Sequence, residues 1–234
     1  MTAMTAFTDT LRLFLRAPLL FLTIGLVGHL IIYGVEFIVF GSVSVTITQT
    51  DHELDLAGAS LPTIFLRVFL VYLALLQVLS AVLHLAAWDV IAGRRPAIGD
   101  HIKLSVRYLP YLVGLSIAVG FVVGIGGLLF VIPGLYVWSA LSVVIPAVVI
   151  GQAGLGAWQR SWDITAEYRW TILGGLILVI IASSAITSVL LLLAAVAGLE
   201  IIASVLAGAV SLSLFAIFAT HVYATLGGTA SERP

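Results

Sequence analysis

The chain has no cysteine among its 234 residues. This excludes disulfides, thiolate metal sites and cysteine nucleophiles. Charge is scarce too: 9% of residues are Asp, Glu, Lys or Arg, where soluble domains carry about a quarter. Nor is there an excess of positive charge, since 10 Lys and Arg face 11 Asp and Glu; the basic face that a nucleic-acid partner needs is missing. The patterns GxSxG and HExxH, a P-loop and a dinucleotide fingerprint are absent as well. The run GIGG at 124–127 lies inside an apolar segment and reads as a packing feature, not a phosphate cradle. No catalytic constellation, cofactor or metal centre is therefore expected, and the protein is read as not an enzyme.

What fills the chain is apolar: 62% of residues are hydrophobic and the mean hydropathy is +1.22. A bilayer core takes about 20 apolar residues per helix. Runs of that kind cover 18–41, 62–88, 108–132, 171–197 and 200–226, and a shorter one covers 135–150. The expected fold is all-α: a polytopic membrane protein with six transmembrane helices as three antiparallel hairpins, with amphipathic interfacial segments on the cytoplasmic side. The whole chain, 1–234, reads as one membrane domain, in units of about 1–88, 89–150 and 151–234. The first run is longer than a signal-peptide core and is taken as a retained span.

Charge placement tests the count. Positive residues concentrate in short cytoplasmic loops. Six spans with both termini inside put Arg12, Arg16, Arg94, Arg95, Lys103, Arg107, Arg160, Arg169 and Arg233 on that side, leaving Arg67 within a span. The outer segments then hold Asp51, Glu53, Asp55 and Glu200 and no Lys or Arg. An inner-membrane, multi-pass protein with cytoplasmic termini is expected. The first two units also share a spacing: Asp9, Arg12, Leu13, Leu15 and Arg16 match Asp100, Lys103, Leu104, Val106 and Arg107, which suggests repeated helical hairpins.

Turns and glycines complete the outline. Pro133 with Gly134, and Gly198, are read as minimal turns, and Pro146 as the close of the fourth span. Gly120, Gly124 and Gly127 offer small faces for helix packing. In the long outer loop the alternation of Val43, Val45 and Ile47 with polar residues hints at a short extended segment.

Ionisable groups inside spans are costly and mark a function or an internal pair. Glu36 and Arg67 fall at matching depths in the first hairpin, giving either a structural ion pair, the preferred reading, or a polar binding site. His29, His84 and His221 are further polar candidates in spans. Histidines can relay protons or bind metal, but the preferred reading is polar residues at the interface, hydrogen-bonded to neighbouring backbone or to Asp89. Asp51, His52, Glu53 and Asp55 are read as a solvated acidic loop. Trp88, Trp158, Trp162 and Trp170 fall near the inferred cytoplasmic boundary, where such rings anchor. Arg160, Ser161, Trp162, Arg169 and Trp170 thus define a connector expected to lie along the membrane surface, with Asp163 and Glu167 offsetting its charge.

At this connector the chain resembles the membrane domain of glycerophosphodiester phosphodiesterases and related uncharacterised six-span prokaryotic membrane proteins. The likeness rests on IPG at 132–134, Pro146, Ala157, RSW at 160–162, RWTILGG at 169–175 and DVIAGRRPAIGD at 89–100. Ile150 and Glu167 depart from the family pattern. The resemblance implies a six-helix membrane module, joined in fused members to a soluble phosphodiesterase domain. Here spans and short connectors take up the sequence, so phosphodiesterase activity is not carried over. The expected function is a non-enzymatic scaffold or accessory factor in a lipid- or envelope-related process, with membrane lipids or a membrane protein as partners. A small transporter or channel for a solute, ion or peptide is the alternative.

Overall fold

The computed structural model describes residues 1–49 and 61–227, with side chains throughout except at 36, 39–49, 61–65 and 197. These residues are helical and include no strand. In chain order the helices are α1 (Ala3–Arg16), α2 (Pro18–Gln49), α3 (Leu61–Ile91), α4 (Ile98–Arg107), α5 (Leu109–Leu129), α6 (Val131–Leu141), α7 (Val144–Val149), α8 (Ala157–Ile164), α9 (Arg169–Ala197) and α10 (Glu200–Leu226). Six candidate spans are long and apolar enough to cross a membrane: Pro18–Val35, Leu66–Ile91, Leu109–Leu129, Val131–Val149, Arg169–Val196 and Glu200–Leu226. The chain is a multi-pass helical membrane protein.

Helix α10 is the centre of the packing and touches α1, α2, α3 and α9. Its buried side is made largely of small residues, among them Ala203, Ala207, Ala209, Ser213, Ala216 and Thr220. Without a hydrophobic drive between helices in lipid, association depends on such close approach. Glycines on the partners complete the fit. A Cβ at Gly25 would stand 2.8 Å from the Ala209 Cβ, and one at Gly175 would stand 2.6 Å from the Phe218 ring. By contrast α5 and the C-terminal half of α9 expose apolar side chains, Leu128 and Val196 at 89% and 88%. Lipid is the natural cover for them.

Both amphipathic helices carry the matched pattern of the sequence as the same local contact. In α1 Arg12 meets Asp9, and in α4 Lys103 meets Asp100, each at 3.2 Å.

Four local expectations are corrected. The turn between the third and fourth apolar runs lies at Phe130, whose backbone is extended, and not at Pro133 and Gly134. Proline suits a first helical turn, where its missing N–H has no partner to lose, so Pro133 sits inside the start of α6. Gly134 serves packing instead: a Cβ there would meet the Gly127 backbone at 2.6 Å. A Cβ at Gly120, Gly124 or Gly127 would meet open space, so the side-chain faces of the expected trio do not pack within the chain; the Gly127 backbone is only what Gly134 approaches. Pro146 does not end a span either. It lies in α7, and the break falls at Ser142 and Val143, between α6 and α7. The missing proline N–H removes the bond to the carbonyl four residues earlier, at Ser142. Finally, Val43, Val45 and Ile47 belong to helix α2 and not to an extended segment. A helix satisfies its backbone within itself, as an apolar surround demands.

Candidate functional site

The break between α6 and α7 sets the first polar seam. Carbonyls in the last turn of a helix lose their intrahelical donors, and Ala140 lies in that turn of α6. Its carbonyl accepts from Ser161 Oγ at 2.8 Å and from Thr165 Oγ1 at 3.1 Å. Thr165 Oγ1 also lies 2.8 Å from the Ser161 carbonyl. Both side chains are fully buried. The serine of RSW therefore caps a neighbouring helix and fixes α8 against it.

Arg169 follows at the start of α9 and is only 8% exposed. It donates to Tyr136 Oη at 2.5 Å and to the Trp162 carbonyl at 3.0 Å. Its guanidinium lies 4.1 Å from the Trp162 ring centroid and 4.9 Å from that of Tyr136. Arginine suits such a position, since it is weakly hydrated and stacks on aromatic faces. Its Nε has no hydrogen-bond partner among the described residues. Arg160 donates to the Gly227 carbonyl at 3.3 Å and lies over the Tyr223 ring at 5.6 Å. Asp163 accepts from Gln159 at 2.8 Å. Of the five connector residues only Trp170 is exposed, at 64%, so the connector is built into the protein and does not simply lie along its surface.

A second polar group was missed in the sequence. Asp89 lies in the last turn of α3, where a negative charge opposes the helix dipole. Its carboxylate meets Arg94 at 2.9 Å and His101 Nε2 at 2.9 Å, and its carbonyl accepts from the Arg94 N–H at 2.8 Å. The turn between these partners needs the left-handed Gly93, at φ 68°. The histidine of this cluster comes from α4 and not from a span. The acidic end of one helix followed by a basic turn and an amphipathic helix was the available signal.

The histidines in spans are held separately. His29 Nδ1 lies 2.9 Å from the Gly25 carbonyl, and its ring fills the space left by Gly208, where a Cβ would come within 2.6 Å. His84 is 3% exposed and its Nδ1 is 2.8 Å from Thr220 Oγ1. His221 reaches toward Asp9 of α1 at 3.7 Å. Arg67 is exposed. The side chain of Glu36 lies outside the described residues, as do Asp51, His52, Glu53 and Asp55. Among the described residues no group of three His, Asp or Glu side chains could hold a metal ion.

Two cavities accompany these seams. One, about 410 Å³, is an apolar groove between α2, α3 and α4. The other, about 520 Å³, is an open cleft at Arg107, Tyr108, Tyr111 and 152–155. Gln152 adopts a left-handed backbone there, at φ 49°, and its Oε1 lies 3.5 Å from Tyr108 Oη. Comparison of the chain with protein-family models, curated proteins and solved structures finds no match.

Proposed function

We propose that the protein is a non-enzymatic scaffold or accessory protein of a prokaryotic inner membrane, acting in a lipid- or envelope-related process. In this reading the six spans form three antiparallel hairpins, over about 1–88, 89–150 and 151–234, with both termini and the basic connectors cytoplasmic. Kinship with the membrane domain of glycerophosphodiester phosphodiesterases, on the connector motifs, belongs to the same proposal. The observation that carries it is that His84, buried in its span, is occupied by a helix–helix contact with Thr220. His29 is likewise fitted against Gly208. Such contacts knit helices together, whereas a transport route needs its polar groups along a solvent-connected path.

A small transporter or channel is the second reading, favoured by the break at Ser142 and Val143 within a candidate span. Discontinuous helices build many transporter sites. Here, however, Ser161 and Thr165 take the Ala140 carbonyl, and Val143 is fully buried.

Freedom from native cysteine makes the test direct. His84→Cys in native membranes is treated with a membrane-impermeant maleimide from each side. The scaffold reading expects no labelling until the protein is denatured. Labelling at a rate close to that of the exposed control Gln159→Cys would show a water path and overturn it.

A further inference from the structure

The apolar groove takes no part in the polar seams. Leu20 and Val27 of α2, Leu79 and Val82 of α3, and Ile98 and Ile102 of α4 line it. It exists because Gly28 lets α3 approach α2: a Cβ at that position would overlap the Leu79 side chain. Its volume, about 410 Å³, falls within the range of about 300–1,000 Å³ typical of ligand sites. Along α2 it runs from Leu20 to Ile32, about 18 Å at the helical rise. One leaflet contributes about 15 Å to a hydrocarbon core of about 30 Å. The groove is therefore as long as one leaflet is deep.

Charge at its α4 end is distributed unevenly. Arg12, Arg94 and Lys103 each have a carboxylate partner. Arg16, four residues before Leu20, and Arg95, three residues before Ile98, are exposed and have no ion-pair partner among the described residues; Arg107, at the far end of α4, has none either but lines the separate open cleft. Arg16 and Arg95 come from two separate elements and flank the same end of the groove in sequence.

We propose that the groove holds one acyl chain of an anionic phospholipid, with its phosphate at the α4 end between Arg16 and Arg95. The apolar walls select a hydrocarbon chain and the two uncompensated guanidinium groups select a negative headgroup. Arginine adds bidentate recognition of phosphate. The site names the lipid that the proposed scaffold would engage, and in that sense it rests on the lipid-contacting reading above. The two fail differently: loss of this site leaves His84→Cys unlabelled, whereas a labelled His84→Cys overturns the scaffold without touching the groove.

The full chain in detergent is titrated with phosphatidylglycerol and with phosphatidylcholine, both bearing palmitoyl chains, and bound lipid is counted by native mass spectrometry. A basic residue near anionic lipid contributes about fivefold, so two arginines predict a preference on the order of 30-fold for phosphatidylglycerol. The double variant Arg16→Gln, Arg95→Gln is expected to bring the two lipids to near-equal affinity. Val27→Trp fills the groove from a half-exposed position and is expected to remove binding of both lipids; Ile31→Trp, also half exposed, repeats the test at a second position. Equal binding of the two lipids by the native chain would overturn the headgroup assignment. Unchanged binding in either folded Trp variant, with helix content and elution volume as in the native chain, would overturn the groove as the site.

Discussion

Removing the two hydroxyls that meet at Ala140 should reveal whether α8 is held by a cap or merely by apolar contact. In Ser161→Ala the Ala140 carbonyl loses its 2.8 Å donor, but Thr165 Oγ1 remains at 3.1 Å. Rotating the Thr165 proton from the Ser161 carbonyl to the Ala140 carbonyl covers the more isolated acceptor. In Thr165→Val the serine keeps its bond and Ala140 stays satisfied. Interhelical hydrogen bonds in membrane proteins average about 0.6 kcal/mol, so each single change is expected to cost about 0.5–1 kcal/mol. The double variant leaves a fully buried carbonyl without a side-chain donor, which costs about 1–3 kcal/mol. It should therefore lose about 2–3 kcal/mol, roughly 1 kcal/mol more than the sum of the singles. Reversible unfolding in mixed micelles of increasing dodecyl sulfate, followed by far-ultraviolet circular dichroism and tryptophan fluorescence, measures all four corners of the cycle. Strict additivity within about 0.3 kcal/mol, or a double variant no worse than the poorer single, would refute the shared cap.

One substitution at two glycines separates two mechanisms. Gly198→Ala meets open space but must adopt φ 68°; the left-handed backbone alone should cost about 1–2 kcal/mol, read as a lower unfolding midpoint in the same micelles. Gly208→Ala has ordinary helical backbone, yet its Cβ would stand 2.6 Å from the His29 ring. Its overpacking cost of about 1–3 kcal/mol should be relieved by His29→Ala in the same chain, whereas the Gly198→Ala cost should not.

Long apolar runs were legible because a helix surrounded by lipid needs apolar composition more than a period, and composition survives in a single sequence. The left-handed glycine at 198 and the amphipathic character of α1 and α4 were legible for similar local reasons. Breaks were less so. Proline can begin a helix as well as end one, which is why the turn lies at Phe130 and the fourth-span break precedes Pro146. The polar seams depend on pairs far apart in the chain, such as His84 with Thr220 and Ser161 with Ala140. Ser161 stood out as part of a motif, but its partner is a backbone carbonyl freed by that break, and no residue type announces it. His101 went unnoticed because its meaning comes from Asp89, across a turn whose geometry Gly93 supplies.

The six-span arrangement is tested most directly at its fourth crossing. Single cysteines are placed at Arg95, Gln159 and Leu199, all exposed positions in a chain that has no cysteine of its own, and sealed vesicles of known orientation are labelled with an impermeant maleimide. Arg95→Cys and Gln159→Cys should react from the same, cytoplasmic side and Leu199→Cys only from the opposite side. Reaction of Gln159→Cys from the side opposite to Arg95→Cys, with Leu199→Cys returning to the Arg95 side, would mean that Val131–Val149 does not cross, and would contradict the account.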